Sequence, residues 1–404
     1  MTQRREEAQQ RVTNLELFFD LVFVFAITQV TAFLADDLTW AGLLRGTFLL
    51  GALWWAWAAY AWLTNTLDPE EGAVRLAMFA SMGAMLVVAL ATPRAFGTDG
   101  IVFGVAYFIV RALHLVLYAI AGRADPDLES AVVRILPSAL LGASLLVVAG
   151  FVDGPLRMAV WAAALLIDYL WLLVAGMRGW SISAEHFVER HGLIIIVALG
   201  ESIVAIGIGA VDEPLGLALI AAALLGGVVA CAVWWSYFDW VVYVAQARLA
   251  EARGEDRAVL ARDLYSYGHL PMVAGIVLFA LGVKTTVAHL DHPLDVISAV
   301  SLCGGLALYF AAHVALRLRI SGGWGHGRPT ATALLLGLIP VAMAVPAIAS
   351  LAAAAAVCAA LIAYEALRYP YARAWIRSRR GNFTSDEARR VTPRRGRHPD
   401  DREA

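Results

Sequence analysis

The stretch NLELFFDLVFVFAITQVTAFL, residues 14–34, has the length and composition of a membrane helix, yet it carries Glu16 and Asp20 near its start. A helix that spans the hydrocarbon core needs about 20 mostly apolar residues. A charged carboxylate inside that core is costly and requires a partner or water. The stretch therefore predicts a first transmembrane helix whose two acidic residues lie at the membrane surface or pair inside the protein.

The composition of the whole chain agrees with this interpretation. The 404 residues are 60% hydrophobic and 16% charged, whereas a soluble chain has roughly half apolar and a quarter charged residues. We therefore predict an all-α, polytopic membrane helical bundle with about 12 transmembrane helices. The predicted spans lie near 15–34, 43–63, 73–92, 100–121, 132–151, 156–176, 188–209, 215–244, 267–289, 294–318, 330–348 and 350–369.

The arginines predict the orientation of the bundle. When alternate loops are assigned to opposite sides, one side holds most of the arginines and the other holds only Arg45, Arg94 and Arg157. Arginine-rich short loops face the cytoplasm. Both termini are therefore expected to be cytoplasmic, and an even number of spans requires the same arrangement.

An internal repeat is visible when the chain is compared with itself at an offset of about 180 residues. Trp54-Trp55 then aligns with Trp234-Trp235, and Tyr107-Phe108 aligns with Tyr309-Phe310 after loop insertions. Halves with an even number of spans enter the membrane from the same side, which predicts two parallel six-helix repeats. The predicted units are a cytoplasmic segment 1–14, a first repeat 15–176, a second repeat 177–369 with a cytoplasmic connector 245–265, and a disordered arginine-rich tail 370–404.

Ionisable residues inside spans are candidates for function, although they also form structural ion pairs. In the fourth span Arg111 and His114 lie on one helix face, and His313 occupies the corresponding stripe of the tenth span. Glu201 lies at the middle of the seventh span and is the predicted anion for Arg111. A Glu201 bridge to Arg111 or Lys284 without a transport role remains the alternative.

Further intramembrane groups are few. Asp168 lies in the sixth span, and the three cysteines have no zinc-type spacing. No phosphate-binding loop, nucleophile elbow or dinucleotide fingerprint is present. We expect no enzyme activity, no cofactor, no metal and no nucleic-acid partner.

Two segments carry a family resemblance. VTNLELFFDLVFVFAITQVT and FVERHGLIIIVALGESIVAI resemble the two signature segments of the bacterial low temperature requirement A (LtrA) family. The resemblance implies an integral protein of the bacterial cytoplasmic membrane and supplies no mechanism. By motif position, the characteristic polar residues it implies are Glu16, Asp20, Glu189, Arg190, His191, Glu201 and Ser202.

These observations favour a solute or ion transporter, with proton coupling as an option, that works in the lipid bilayer on an unidentified small solute or ion. One alternative is a passive ion channel, because two-repeat potassium channels also begin with an aromatic residue followed, one residue on, by Asp, as Phe18 and Asp20 do here. Another is a membrane enzyme or a stress factor without transport. We predict that Asp20 faces the bundle interior and pairs with a cationic or donor group such as His191, Arg190 or Arg111; homo-oligomerisation is left open.

Overall fold

The computed structural model describes residues 12–211, 213–379, 383, 384 and 387, and no β-strand occurs among them. The α-helices are α1 Asn14–Asp36, α2 Trp40–Thr64, α3 Gly72–Ala91, α4 Gly100–Gly122, α5 Pro126–Ala149, α6 Gly154–Ala175, α7 Ala184–Gly209, α8 Leu217–Phe238, α9 Val241–Glu251, α10 Gly254–Ala261, α11 His269–Ala288, α12 Val296–Ala299, α13 Gly305–Ser321, α14 Gly327–Ala342, α15 Ala347–Arg368 and α16 Pro370–Arg379. Two π-helical segments, Arg262–Tyr267 and Val300–Gly304, precede α11 and α13.

The first helix, α1, has one face buried against the protein and another face exposed. A capping box joins Thr13 and Glu16 and satisfies backbone N–H groups at the start of α1. Phe19 and Phe23 are buried on one face, whereas Phe18 and Leu21 are more than half exposed on another. Exposed apolar side chains of this size are typical of a face that contacts lipid.

Ten helical segments of the described residues are long and apolar enough to cross a membrane, so the chain is an all-helical protein with many membrane spans. Two of the predicted twelve spans are absent from that set. The helix α14 has 16 residues. The helix α2 has 25 residues, but its tryptophans lower its mean hydropathy, and most of its side chains are buried against other helices.

Hydrogen bonds between helix termini show which termini lie at the same end of the bundle. Asn65, just after α2, bonds with the backbone of Ser183, just before α7. These groups lie at the same end as the start of α1, which we call the Asn14 end. Between the two ends, α7 packs against α1 and α11. The start of α1 therefore lies beside the start of α7.

Only some of the glycines of α7 lie close to a neighbouring backbone. The sequence predicts that Gly200, Gly207 and Gly209 leave room for a neighbouring backbone or for a local break in the helix. A Cβ at Gly209 would lie 2.7 Å from the carbonyl oxygen of Lys284, whereas nothing lies within 4 Å of a Cβ at Gly200 or Gly207. The prediction of a close neighbour is therefore correct for Gly209. At Gly200 and Gly207 no neighbour approaches, and the helix continues through both without a break.

The tail prediction needs a correction at its beginning. Residues 370–404 were expected to be disordered, but residues 370–379 form α16. Arg373 and Arg377 of α16 both bind the carboxylate of Asp239, which follows α8. The two ion pairs hold the helix against the end of α8. Most of the remaining tail lies outside the described residues.

These contacts predict the effect of Asp239→Asn. Each charge-assisted hydrogen bond contributes about 1.5–3 kcal/mol, so weakening both contacts should release α16 from the protein. We expect trypsin to cleave after Arg377 and Arg379 roughly tenfold faster, because local opening is governed by the local free energy. A digestion time course in detergent, followed by mass spectrometry, measures the rate.

Asp263→Asn is the matched control for this experiment. The Asp263 carboxylate also binds two arginines, Arg262 and Arg319, and neither of them belongs to α16. Equal cleavage rates in the two variants would contradict the docking of α16 through Asp239.

Candidate functional site

Glu16 and Asp20 lie one turn apart on α1 and are both buried, with relative exposures of 0% and 2%. Neither faces the lipid, although Leu17 and Phe18 between them are exposed. The helical period of 3.6 residues explains this, since residues i and i+4 share a face. The two carboxylates are therefore directed together into the bundle, towards α7.

Arg190 of α7 is the cation between them. Its Nη1 lies 2.7 Å from Asp20 Oδ2, and its Nε lies 3.5 Å from Glu16 Oε1. The same Nη1 donates to the backbone carbonyl of Glu16 at 3.2 Å. The guanidinium is fully buried, so it depends on these two carboxylates for its counter-charge. The prediction that Asp20 pairs with a cationic or donor group is confirmed, and Arg190 is the cation.

Two further side chains complete the coordination of the carboxylates. The indole Nε1 of Trp57 donates to Asp20 Oδ1 at 2.9 Å, and the Trp57 ring lies 5.7 Å from the Arg190 guanidinium carbon. His186 Nε2 lies 3.1 Å from Glu16 Oε1. We call Glu16, Asp20, Trp57, His186 and Arg190 the α1–α7 cluster.

The tautomer of His186 follows from its neighbour. The Asn65 amide is oriented by Ser183, whose N–H donates to Oδ1. Its Nδ2 therefore donates to His186 Nδ1, at 3.0 Å. A neutral imidazole has one donor and one acceptor. His186 Nε2 therefore carries the hydrogen and donates it to Glu16.

Glu201 lies farther along the same two helices. Thr28 Oγ1 of α1 donates to Glu201 Oε2 at 2.5 Å. No Lys, Arg or His nitrogen within the described part of the chain lies within 4 Å of this carboxyl group, although Lys284 acts on it electrostatically from a greater distance. The prediction that Glu201 is the anion for Arg111 is wrong, because Arg111, on α4, forms its ion pair with a different carboxylate.

Arg111 pairs instead with Asp168 of α6, with 3.5 Å between Nη2 and Oδ1. His114 lies one turn after Arg111, and its Nε2 is 3.1 Å from the carbonyl oxygen of Ala59. These three predicted residues line one cavity in the first half of the chain. They do not contact the α1–α7 cluster directly.

Three further predicted residues, His191, Ser202 and His313, are buried in separate places, whereas Glu189 is exposed. His191 Nδ1 bonds with the carbonyl of Phe187, and its ring packs among Trp57, Tyr265 and His269. Ser202 is buried beside Glu201 in sequence, and its hydroxyl has no partner among the described residues. His313 bonds with the carbonyl of Tyr309 in the second half. None of the three joins the α1–α7 cluster through a hydrogen bond.

Sequence reasoning missed His186 and Trp57. His186 stands four residues before Arg190, so the spacing places both on one face of α7 and could have identified it. Trp57 carries no such signal, because its contact with Asp20 depends on how α2 packs against α1. The partner of Glu201, Thr28, is likewise visible only in three dimensions.

The chemistry available at this seam between α1 and α7 is that of charge and proton binding. Three carboxyl groups face it, from Glu16, Asp20 and Glu201, and Arg190 is the cation in direct contact with two of them. Among residues that the structure describes, no three His, Cys, Asp or Glu side chains are arranged to hold a metal ion. The seam therefore carries more acidic groups than it has cations in contact with them.

Comparison with known proteins agrees with the signature segments. Residues 11–363 match the family described as "Bacterial low temperature requirement A protein (LtrA)". An uncharacterized protein of Rhizobium meliloti (strain 1021) is 32% identical over 326 residues, which cover 76% of this chain and 78% of the relative. No solved structure matches the chain. The chain belongs to the bacterial low temperature requirement A (LtrA) family.

Proposed function

We propose that the chain has twelve spans in two parallel six-helix repeats of the bacterial cytoplasmic membrane, with both termini in the cytoplasm. In this arrangement the buried helix α2 and the short helix α14 complete the ten apolar spans. The order of neighbours supports the repeat. In the first half α1 packs on α3, α3 on α4, α4 on α5 and α5 on α6; in the second half α7 packs on α11, α11 on α13, α13 on α14 and α14 on α15.

We further propose that the protein is a transporter of a small solute or ion. The observation that carries this proposal is the row of three buried carboxyl groups along α1 and α7, the first helices of the two proposed repeats. In transporters built from repeats, the substrate and coupling-ion sites lie between the repeats, near the middle of the bilayer. Glu201 occupies that depth, and the α1–α7 cluster lies between it and the Asn14 end.

The charges of the seam favour coupling to protons or to another cation. Arg190 compensates Glu16 and Asp20 in part, while Glu201 has a hydroxyl donor and no cation within 4 Å among the described residues. A carboxyl group away from water needs a cation, a donor or a proton. A proton or substrate cation that binds at Glu201 and later leaves would change the charge of the seam, which gives a physical link between binding and motion.

Movement of one repeat against the other would have to break contacts across this seam. Arg190 holds Glu16 and Asp20 across it, and Thr28 holds Glu201 across it. When the contacts at the Asn14 end separate, water reaches Asp20 from the cytoplasm, and Glu201 can exchange its proton or cation. When they form again, the cluster closes the cytoplasmic side.

The test is a flux assay with purified protein in vesicles that contain a pH-sensitive dye. Potassium, sodium, an amino acid, a sugar and an organic cation are supplied outside, one at a time. We expect at least one of them to drive proton movement. Glu201→Gln should lower the initial rate roughly tenfold or more, because an amide accepts the Thr28 bond but cannot exchange a proton at neutral pH.

Three other outcomes would contradict parts of this proposal. Rapid passive conduction that ignores the proton gradient would indicate a channel. The absence of flux for every solute would indicate an enzyme or a stress factor without transport. Unchanged coupled flux in Glu201→Gln would remove Glu201 from the mechanism. Folding of the variant is checked from its thermal unfolding midpoint in detergent.

A further inference from the structure

A cavity of about 70 Å³ lies between α2, α4, α5 and α6 of the first half, beside the loop that joins α6 to α7, and Ser266 of the second half also contributes to its wall. Trp62, Arg111, His114, Tyr118, Asp168 and Trp180 contribute to its wall. A water molecule needs roughly 10–15 Å³ of cavity volume measured in this way, so the cavity has room for several waters or for a small organic molecule. None of the side chains in its wall belongs to the α1–α7 cluster.

The ion pair between Arg111 and Asp168 in the cavity wall has a long contact distance. Arg111 Nη2 lies 3.5 Å from Asp168 Oδ1, whereas charge-assisted hydrogen bonds between such groups are typically about 2.7–2.9 Å. Arg111 Nε has no partner among the described residues, and both side chains are about 95% buried. A guanidinium has five N–H donors, and a carboxylate accepts about four hydrogen bonds. Both partners therefore keep most of their bonding capacity.

The rest of the wall offers both donors and acceptors. His114 Nε2 faces the carbonyl oxygen of Ala59, which can only accept, so Nε2 carries the hydrogen and Nδ1 is an acceptor in the neutral ring. That Nδ1, the Tyr118 hydroxyl and the Trp180 indole N–H are buried without a partner in the described structure. Unpaired buried polar groups are rare in native proteins and call for a ligand or water.

Aromatic rings surround these polar groups. The Trp180 ring contacts Trp62 and Tyr118 edge-on, with centroid distances of 5.8 and 5.2 Å. Such rings attract an ammonium group through their negative faces. A carboxylate beside aromatic rings suits a ligand's cationic end, and a guanidinium suits its anionic end.

We propose that this cavity binds a small zwitterionic solute of the amino-acid or betaine type, with its carboxylate on Arg111 and its ammonium near Asp168 and the aromatic rings. The charge balance of the wall selects this class. Arg111 and Asp168 sum to zero, so a ligand with one net charge would leave an uncompensated charge inside the bilayer. A zwitterion keeps the site neutral while it satisfies both members of the ion pair.

This inference does not rest on the proposed transport activity, because binding is measured at equilibrium without flux. Isothermal titration calorimetry with the full chain in detergent tests it with glycine, β-alanine and glycine betaine as zwitterionic probes. Acetate and methylammonium are the singly charged comparisons. We expect at least one zwitterion to bind roughly tenfold more tightly than either comparison, because each of these lacks one of the two ionic contacts.

Asp168→Asn should change the preference of the site from the zwitterion towards acetate. It removes the partner for the ammonium group and leaves Arg111 with an unpaired positive charge, so the zwitterion should bind roughly tenfold more weakly while acetate binds more tightly than to the wild type. Trp180→Phe, which keeps a ring and removes the N–H donor, should weaken binding of the zwitterion and of acetate, because both carry a carboxylate that can accept from this donor. Asp153→Asn is the matched control, since Asp153 also pairs with an arginine, Arg157, but its side chain is 92% exposed outside the cavity.

The outcomes separate the possibilities. If none of the probes binds, the cavity holds water alone and the proposal is overturned. If acetate or methylammonium binds the wild type as tightly as the zwitterions do, the ligand class is wrong. If Asp168→Asn fails to fold, as judged from its thermal midpoint, then Trp180→Phe decides, and unchanged binding in that variant overturns the proposal. A protein that binds a zwitterion without any flux would support the site and contradict transport.

Discussion

Arg190→Gln should lower the free energy of unfolding by about 3–5 kcal/mol, the loss typical when one member of a buried ion pair is removed. The variant leaves Glu16 and Asp20 buried without the cation that lies between them. Two carboxylates in one apolar site also repel each other. An SDS titration of the detergent-solubilised protein, followed by circular dichroism, measures the change.

Arg45→Gln is the control for this measurement. Arg45 also pairs with an aspartate, Asp37, but both side chains are partly exposed, at 38% and 27%. Pairs of this kind contribute less than about 1 kcal/mol. A loss in Arg190→Gln no larger than the loss in Arg45→Gln would show that the cluster does not depend on its cation.

The same cluster predicts a rescue. Adding Glu16→Gln and Asp20→Asn to the Arg190→Gln variant removes both orphaned charges, and neutral replacement of a buried ionic group is often tolerated. Most of the lost stability should return in the triple variant. If the triple variant is less stable than Arg190→Gln alone, the carboxylates contribute through contacts other than this ion pair.

Part of the site was predictable from the sequence. Asp20 had to find a counter-charge, because a buried carboxylate behind two phenylalanines has few other options. Arg190 was one of the partners expected for Asp20, and it is the cation that Asp20 contacts. Glu201 needed a partner for the same reason, but Arg111 is not that partner, because residue spacing does not show which helices are neighbours. Arg111 lies on α4 and meets Asp168 of α6.

For both Asp20 and Glu201, the partner depends on how the helices pack, which residue spacing does not reveal. Periodicity says which face of a helix a residue occupies, but it does not say which helix covers that face. The Trp-rich helix α2 illustrates this point, since it was predicted as an ordinary span and is instead enclosed by other helices. Its burial brings Trp57 to Asp20 and Trp62 to the cavity. Neither contact could be predicted from the spacing of residues in the sequence.

Asp20→Asn should reduce transport roughly tenfold or more while the protein still inserts and accumulates at near-normal levels. The asparagine Oδ1 can still accept from Trp57, and Arg190 keeps the Glu16 carboxylate 3.5 Å from its Nε as a counter-charge. The structural loss is therefore smaller than in Arg190→Gln. The lost negative charge, however, lies between the Asn14 end and Glu201, where an incoming proton or cation would pass under the proposed mechanism.

The vesicle assay with the internal pH dye measures this effect, and Asp37→Asn is its matched control. Asp37 also pairs with an arginine, but it lies at the opposite end of α1 and is partly exposed. Asp37→Asn should transport at the wild-type rate. If Asp20→Asn also does so, the carboxylate has no part in the pathway. If instead Asp20→Asn fails to accumulate while Glu201→Gln transports normally, both acidic residues are scaffold, since their charge would then matter for folding and not for flux.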